Sequence, residues 1–179
     1  PAHTLTLRVG QAPTLREYWT LSFAANGVTS LEAAVPELRE RLREAVKLRL
    51  VSEVPLGAFL SGGVDSSAIV AAMAGLQSEP VETCSISFGD PRFNETPYAE
   101  SVARRFGTNH HVDQVDPDDF DLLDTLVAAY DEPFADSSAL PTYRVCQLAR
   151  QHVTVALSGD AGDENFAGYR RHRLHMNEE

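Results

Sequence analysis

The chain reads as an α/β protein, a doubly wound parallel sheet with helices on both faces. Three observations predict this. From about residue 50 onward, short apolar runs alternate with longer helical patterns, and such units close into parallel sheets with helical crossovers. The run Val54-Pro55-Leu56-Gly57-Ala58-Phe59-Leu60 has no charge, as expected of a strand covered on both sides. Two strand-to-helix junctions, 61–67 and 158–164, are rich in Gly, Ser and Asp, which suits ligand loops at the carboxyl ends of strands.

Each element has its own warrant. Residues 1–30 read as a connector or tail from a preceding domain, and 31–179 as the main domain. Within the tail, Thr4–Val9 alternates like a strand and Gly10-Gln11-Ala12-Pro13 reads as a turn. Tyr18 and Trp19 are expected to pack on the domain that follows. Thr29-Ser30 offers a helix cap, Pro36 falls in an early turn, and Leu38, Leu42, Ala45 and Val46 form an apolar stripe to about Val51. Strands follow at Val54–Leu60, Val81–Phe88, Asn109–Val115 and Val153–Leu157. Helices are expected at Ser66–Leu76, at Pro97–Phe106 with Gly107 as its stop, at Asp118–Tyr130 with Asp116 to Asp119 at its acidic start, at Ala139–Gln151, and from Asp163 onward.

Composition narrows the function. Of 179 residues, 43% are apolar, enough for a core, and no apolar run is long enough to span a membrane. No signal peptide is visible, and the chain begins with Pro1, so a processed chain or a piece of a longer one is expected. Net charge is −11, which disfavours a nucleic-acid partner. The basic run Arg39, Arg41, Arg43, Lys47 and Arg49 is interleaved with Glu37, Glu40 and Glu44 and reads as a solvated, ion-paired face. Cys84 and Cys146 form no CxxC pair, so both are expected as small buried residues, in keeping with a reducing cytoplasm.

The first candidate site is Ser61-Gly62-Gly63-Val64-Asp65-Ser66-Ser67. The glycines permit a tight turn, and the amides of the turn and helix start converge on one anion position. Ser61, Ser66 and Ser67 add hydroxyls. Asp65 would repel a phosphate unless it holds a magnesium ion that bridges phosphate oxygens. The loop has neither the GxxxxGK[ST] nor the GxGxxG spacing. The second candidate, Ser158-Gly159-Asp160-Ala161-Gly162-Asp163-Glu164, repeats the layout. Its acidic residues either steady a helix start or serve a metal and a substrate.

These motifs resemble a known family. SGGxDSS is the signature of the ATP pyrophosphatases, which cleave ATP between the α and β phosphates (the adenine nucleotide alpha hydrolase-like, or PP-loop, fold). From about Tyr18 to the chain end, the sequence is similar to the synthetase domain of glutamine-dependent asparagine synthetases. The runs Asp131-Glu132-Pro133, Asp136-Ser137-Ser138 and Pro141-Thr142-Tyr143 look closest to the asparagine synthetase-like amidotransferases of exopolysaccharide and exosortase gene clusters.

The resemblance implies ATP and Mg²⁺ as cofactors and a small carboxylate, aspartate or a related acid, as substrate. Ser61, Gly62, Gly63, Asp65, Ser66 and Ser67 would hold the phosphates, with Leu60 and Ile86 flanking the adenine. Ser158 and Gly159 match the SG[ED]GxDE…GY motif and would contact the nucleotide. Asp160 would support acyl-adenylate formation, Asp163 would join Asp65 on magnesium, and Tyr169 would border the phosphates. Two departures stand out. Ala161 replaces a usual glycine and would strain the loop by about 1 kcal/mol if φ is positive there. Asp160 replaces the Glu of asparagine synthetases proper.

The family also implies an N-terminal glutaminase domain led by a cysteine, and a lysine supplied downstream of the GY motif. No cysteine precedes Cys84, and the only lysine is Lys47. The domain is therefore expected to be truncated at its C-terminus, and residues 1–179 alone are expected to make little amide. Oligomeric state is open, a homodimer among the options. Two alternatives remain: a tRNA-modifying ATP pyrophosphatase and a non-catalytic nucleotide-binding module. His110 and His111 are adjacent on a strand, face opposite sides, and are not expected to share a metal. Asp131 and Asp136 fit substrate contact or turn chemistry equally.

Overall fold

A computed structural model of the chain describes residues 1–22, 30–115, 122–130 and 132–176. It divides into two compact units, Pro1–Leu38 and Arg39–Glu179. In the first, β1 (His3–Thr6) pairs antiparallel with β2 (Thr14–Glu17), His3 opposite Glu17 and Thr6 opposite Thr14. The strand is shorter than Thr4–Val9, and its partner is too brief to show an alternating pattern.

Helix α1 (Leu31–Arg49) starts where Ser30 Oγ accepts the Ala33 amide at 3.2 Å. Its stripe is narrower than expected: Val46 is buried and Leu42 half-buried, but Leu38 is exposed. The polar face carries an exposed Arg43–Glu40 pair at 3.7 Å, which contributes little.

Four parallel strands form the sheet: β3 (Leu56–Phe59), β4 (Glu82–Phe88), β5 (Asn109–Val115) and β6 (Val155–Leu157). Their order is β5-β4-β3-β6. The chain moves outward from β3 through β4 to β5, then returns to the other side of β3. The switch point therefore lies between β3 and β6, where ligand crevices form in such sheets.

Alternation along the strands makes two apolar layers. Ala58 and Leu60 join Val46 of α1, Val70 and Met73 of α2 (Val64–Ala74), and Ala99 and Ala103 of α3 (Thr96–Phe106). On the other face, Cys84, Phe59 and Ala156 meet Val153 and residues Leu148 and Ala149 of α5 (Ala139–Ala149). Burial, helped by the Glu82 charge, pushes the Cys84 thiol up to about 11. Cys146, expected buried, is exposed, because it lies off the stripe that Leu148 and Ala149 present.

Gly107 ends α3 in the left-handed conformation, φ 62°, as its sequence position demands. Of the helix expected over Asp118–Tyr130, α4 (Leu123–Ala129) is described, while Asp116 to Asp119 lie outside the described residues. The single helix expected from Asp163 is two pieces, α6 (Gly162–Phe166) and α7 (Arg170–Met176). Ala167, at φ 55°, breaks it.

Candidate nucleotide site

β3 delivers the first loop to the switch point. Gly62 has φ 83°, and a Cβ there would stand 2.5 Å from the Ala99 amide nitrogen and 2.6 Å from Tyr98 Cβ. The turn thus presses on the start of α3 and only glycine fits. Ser66 is buried. Its Oγ lies 2.9 Å from Ser61 Oγ, accepts the Ser61 amide at 3.2 Å and donates to Gly63 O at 3.3 Å. Its hydroxyl fixes the shape of the loop. Ser67 is half-buried, with its amide on Gly63 O at 3.0 Å. Gly63 caps α2 without a side-chain bond, so the first-turn amides are left for a ligand.

The second loop closes on the first. A Cβ at Gly159 would stand 2.6 Å from the Ser66 amide nitrogen, and a Cβ at Gly162 would overlap the Asp65 carboxylate. Asp65 therefore rests against the backbone beside Asp163. The Asp163 carboxylate in turn fills the space a side chain at Gly168 would need. Ala161 sits at φ 69° and ψ 6°, the conformation expected of the glycine it replaces. Asn165 holds it there, donating to Ala161 O from its amide at 3.2 Å and from Nδ2 at 2.6 Å. Ser158 Oγ donates to Asp160 Oδ2 at 2.9 Å.

Ser61, Gly63, Asp65, Ser158, Asp160 and Asp163 all line one polar cleft of about 390 Å³. A second, more apolar cleft of about 260 Å³ is lined by Leu60, Ile86, Phe88 and Phe93. Phe59, Ser61, Thr142 and Val145 line both, so the two adjoin. The Ser85 hydroxyl donates to Leu60 O and sets the end of β3 against β4. Thr96 Oγ1, beside the apolar cleft, is buried without a hydrogen-bond partner. Sequence reasoning missed Phe59, Thr142 and Val145. The last two lie three apart on one face of α5, a spacing that reads as core.

Tyr169 is placed differently. Its hydroxyl donates to Glu164 Oε1 at 2.7 Å, and Arg171 covers its ring at 4.3 Å. That bond holds the Glu164 carboxyl below and the Tyr169 phenol above their ordinary values. Tyr169 is not among the residues lining either cleft.

Asp136 accepts the Ser138 amide at 2.8 Å, and this bond lowers its carboxyl, which is turn chemistry. Asp131 lies outside the described residues. His110 and His111 do face opposite ways. His110 Nδ1 meets the Thr83 hydroxyl at 3.0 Å, and burial holds the imidazole below its ordinary value. His111 Nε2 meets Glu82 Oε2 at 2.7 Å.

The polar cleft is lined by three carboxylates and, among the described residues, by no Lys or Arg. A polyphosphate there needs a cation. Asp65 and Asp163 offer hard oxygen donors of the kind Mg²⁺ takes, so the donor set fits that ion.

A parallel sheet switched beside β3, with paired Gly-Ser-Asp loops at the switch, is the PP-loop, adenine nucleotide alpha hydrolase-like fold. The NH₃-dependent NAD synthetase of Campylobacter jejuni shares the fold, with TM-score 0.52 and 12% identity over 75% of this chain and 60% of that one. The asparagine synthase family model matches residues 37–179. Putative asparagine synthetase [glutamine-hydrolyzing] 2 of Methanocaldococcus jannaschii is 46% identical over 140 residues, 77% of this chain. Asparagine synthetase [glutamine-hydrolyzing] 1 of Bacillus subtilis is 34% identical over 174 residues, 97% of this chain. The chain belongs to the asparagine synthase family. It spans 27% of the length of each of these two relatives. Among the described residues, no helix is long and apolar enough to cross a membrane.

Proposed function

We propose that this chain is the nucleotide-binding part of an ATP-dependent amide-forming synthetase that activates a carboxylate by adenylation. The observation that carries this is the adjacency of the two clefts at the switch point. The apolar one suits an adenine between Leu60 and Ile86. The polar one places uncapped α2 amides beside Asp65, Asp160 and Asp163. Their combined extent falls within the usual size of small-ligand sites.

In this reading the triphosphate lies over the start of α2. An oxygen of the substrate carboxylate attacks the α-phosphorus, the α–β bridge bond breaks, and pyrophosphate leaves with its electron pair. Ammonia then attacks the acyl carbon, AMP departs, and an amide remains. The loop amides and helix dipole stabilise the charge that develops on pyrophosphate, and Asp160 stands where the acid would be positioned. Mg²⁺ at Asp65 and Asp163, when bound, supplies charge neutralisation for the leaving group. The glutamine-hydrolysing relatives suggest a glutaminase domain as the ammonia source and aspartate as the first acid to try.

The test pairs calorimetry with isotope exchange. Binding of ATP with Mg²⁺ should weaken at least about tenfold in Asp65→Ala. Aspartate-dependent exchange of labelled pyrophosphate into ATP should occur and be lost in Asp160→Ala. Magnesium-independent binding that ignores Asp65→Ala would overturn the assignment of the loop. Binding without exchange for any acid would instead favour a non-catalytic module, the reading to which the strained Ala161 lends some support.

A further inference from the structure

The amino end of the sheet carries a second group of donors. Glu82 opens β4, and in the parallel register it pairs with Asn109 while Cys84 pairs with His111. Alternation then puts Glu82 and His111 on the same face, the one covered by α5. The turn that leaves α5 brings His152 onto that face. One ligand atom from each of Glu82, His111 and His152 lies within 4.8 Å of the others, the only such set of three among the described residues. Glu82 stands about 20 Å from Phe88 at the other end of β4, while Cys84, the register partner of His111, lines the apolar cleft.

We propose that Glu82, His111 and His152 form a binding site for a divalent transition-metal ion of the zinc class, which ties the end of α5 to β4 and β5. The donor set is two imidazole nitrogens and one carboxylate oxygen. It suits zinc and its neighbours rather than the all-oxygen preference of magnesium or calcium. It leaves a fourth position for water.

The surroundings match what such a site needs. Asn109 Nδ2 donates to Glu82 Oε1 at 2.6 Å, which orients the carboxylate and leaves Oε2 facing His111 Nε2 at 2.7 Å. Outer hydrogen bonds of this kind fix metal-ligating carboxylates. Tetrahedral ligands at ordinary zinc distances stand about 3.4 Å apart, so the widest pair must close by up to about 1.4 Å and the Glu82–His111 pair must open by about 0.7 Å. The two imidazoles stack with centroids 3.5 Å apart and planes 11° apart. In that pose their nitrogen lone pairs run side by side, and a shared ion requires one ring to turn. His152 is exposed in the turn between α5 and β6 and has room to do so, whereas His111 is half-buried.

The test is zinc binding by the whole chain, stripped of metal and titrated at neutral pH against a chromophoric zinc indicator. One equivalent should bind with micromolar affinity or tighter and raise the thermal midpoint. Both effects should weaken at least about tenfold in His152→Ala, an exposed position where the fold is retained, and in Glu82→Gln. Co²⁺ should give the visible absorption of a four-coordinate ion. Asp65→Ala should bind zinc as the parent does. The proposal is overturned if no saturable equivalent binds, if His152→Ala and Glu82→Gln both bind like the parent, or if Asp65→Ala abolishes binding, which would assign the ion to the nucleotide cleft.

Discussion

Replacing Ala161 by glycine should stabilise the protein, although it removes a methyl group and adds no contact. Ala161 sits at φ 69° and ψ 6°, pinned by two hydrogen bonds from Asn165 to its carbonyl. An L-residue in the left-handed region costs about 1–2 kcal/mol. Glycine removes that cost but brings about 0.5–1 kcal/mol of extra unfolded-state freedom. The balance is about 0.5–1 kcal/mol in favour of Ala161→Gly. For a chain of this size that is a rise of about 1–4 °C in thermal midpoint. Ala161→Val should move the other way by more than about 1 kcal/mol, because a β-branched side chain tolerates positive φ worst. Urea unfolding with a common m-value measures both. A glycine variant less stable than the parent, or a valine variant as stable as it, would refute the reasoning and mean that the loop relaxes out of the left-handed region.

Other consequences follow from the same geometry. Gly162→Ala should leave the circular dichroism spectrum intact but weaken Mg·ATP binding at least about tenfold by calorimetry, because the new Cβ takes the place of the Asp65 carboxylate. Gly62→Ala should destabilise by about 2 kcal/mol or more in urea, since positive φ and backbone crowding against Ala99 act together. Cys146 should react with a thiol reagent in the native state while Cys84, buried and held near 11, reacts only after unfolding. Burial depresses the imidazole of His110 in the folded state, against the effect of the nearby Glu100 charge and with that of His111. Its contribution to stability is therefore fully present above the unfolded value near 6.5 and is lost as pH falls through the lower folded value. His110→Gln should flatten that part of the pH–stability curve.

Much of the scaffold is legible in the sequence because local rules act in one direction. β5 occupies Asn109–Val115 as its pattern predicts, Gly107 supplies the expected left-handed stop, and the uncharged run before Ser61 becomes an inner strand. Both Gly-Ser-Asp loops meet because the switch point puts β6 beside β3, a consequence of the alternating elements. The loops also interlock in detail that spacing does not encode. That Ser66 turns inward, that Gly162 is shaped around Asp65, and that Tyr169 bonds to Glu164 all depend on side-chain packing.

The walls of the site and the histidine cluster were hidden for a different reason. Thr142 and Val145 face the clefts only because α5 lies across β3 and β4, and their spacing alone looks like ordinary core. Strand geometry rules out His110, the neighbour of His111 in sequence, as its co-ligand. Its actual companions come from positions 82 and 152, brought close by the parallel register and by the turn after α5. Adjacent histidines draw the eye in a sequence, yet in a strand the informative partners of a histidine are the same-face residues of the next strand. The register β4–β5 makes Glu82 one of these, and no pattern within either strand could have named it.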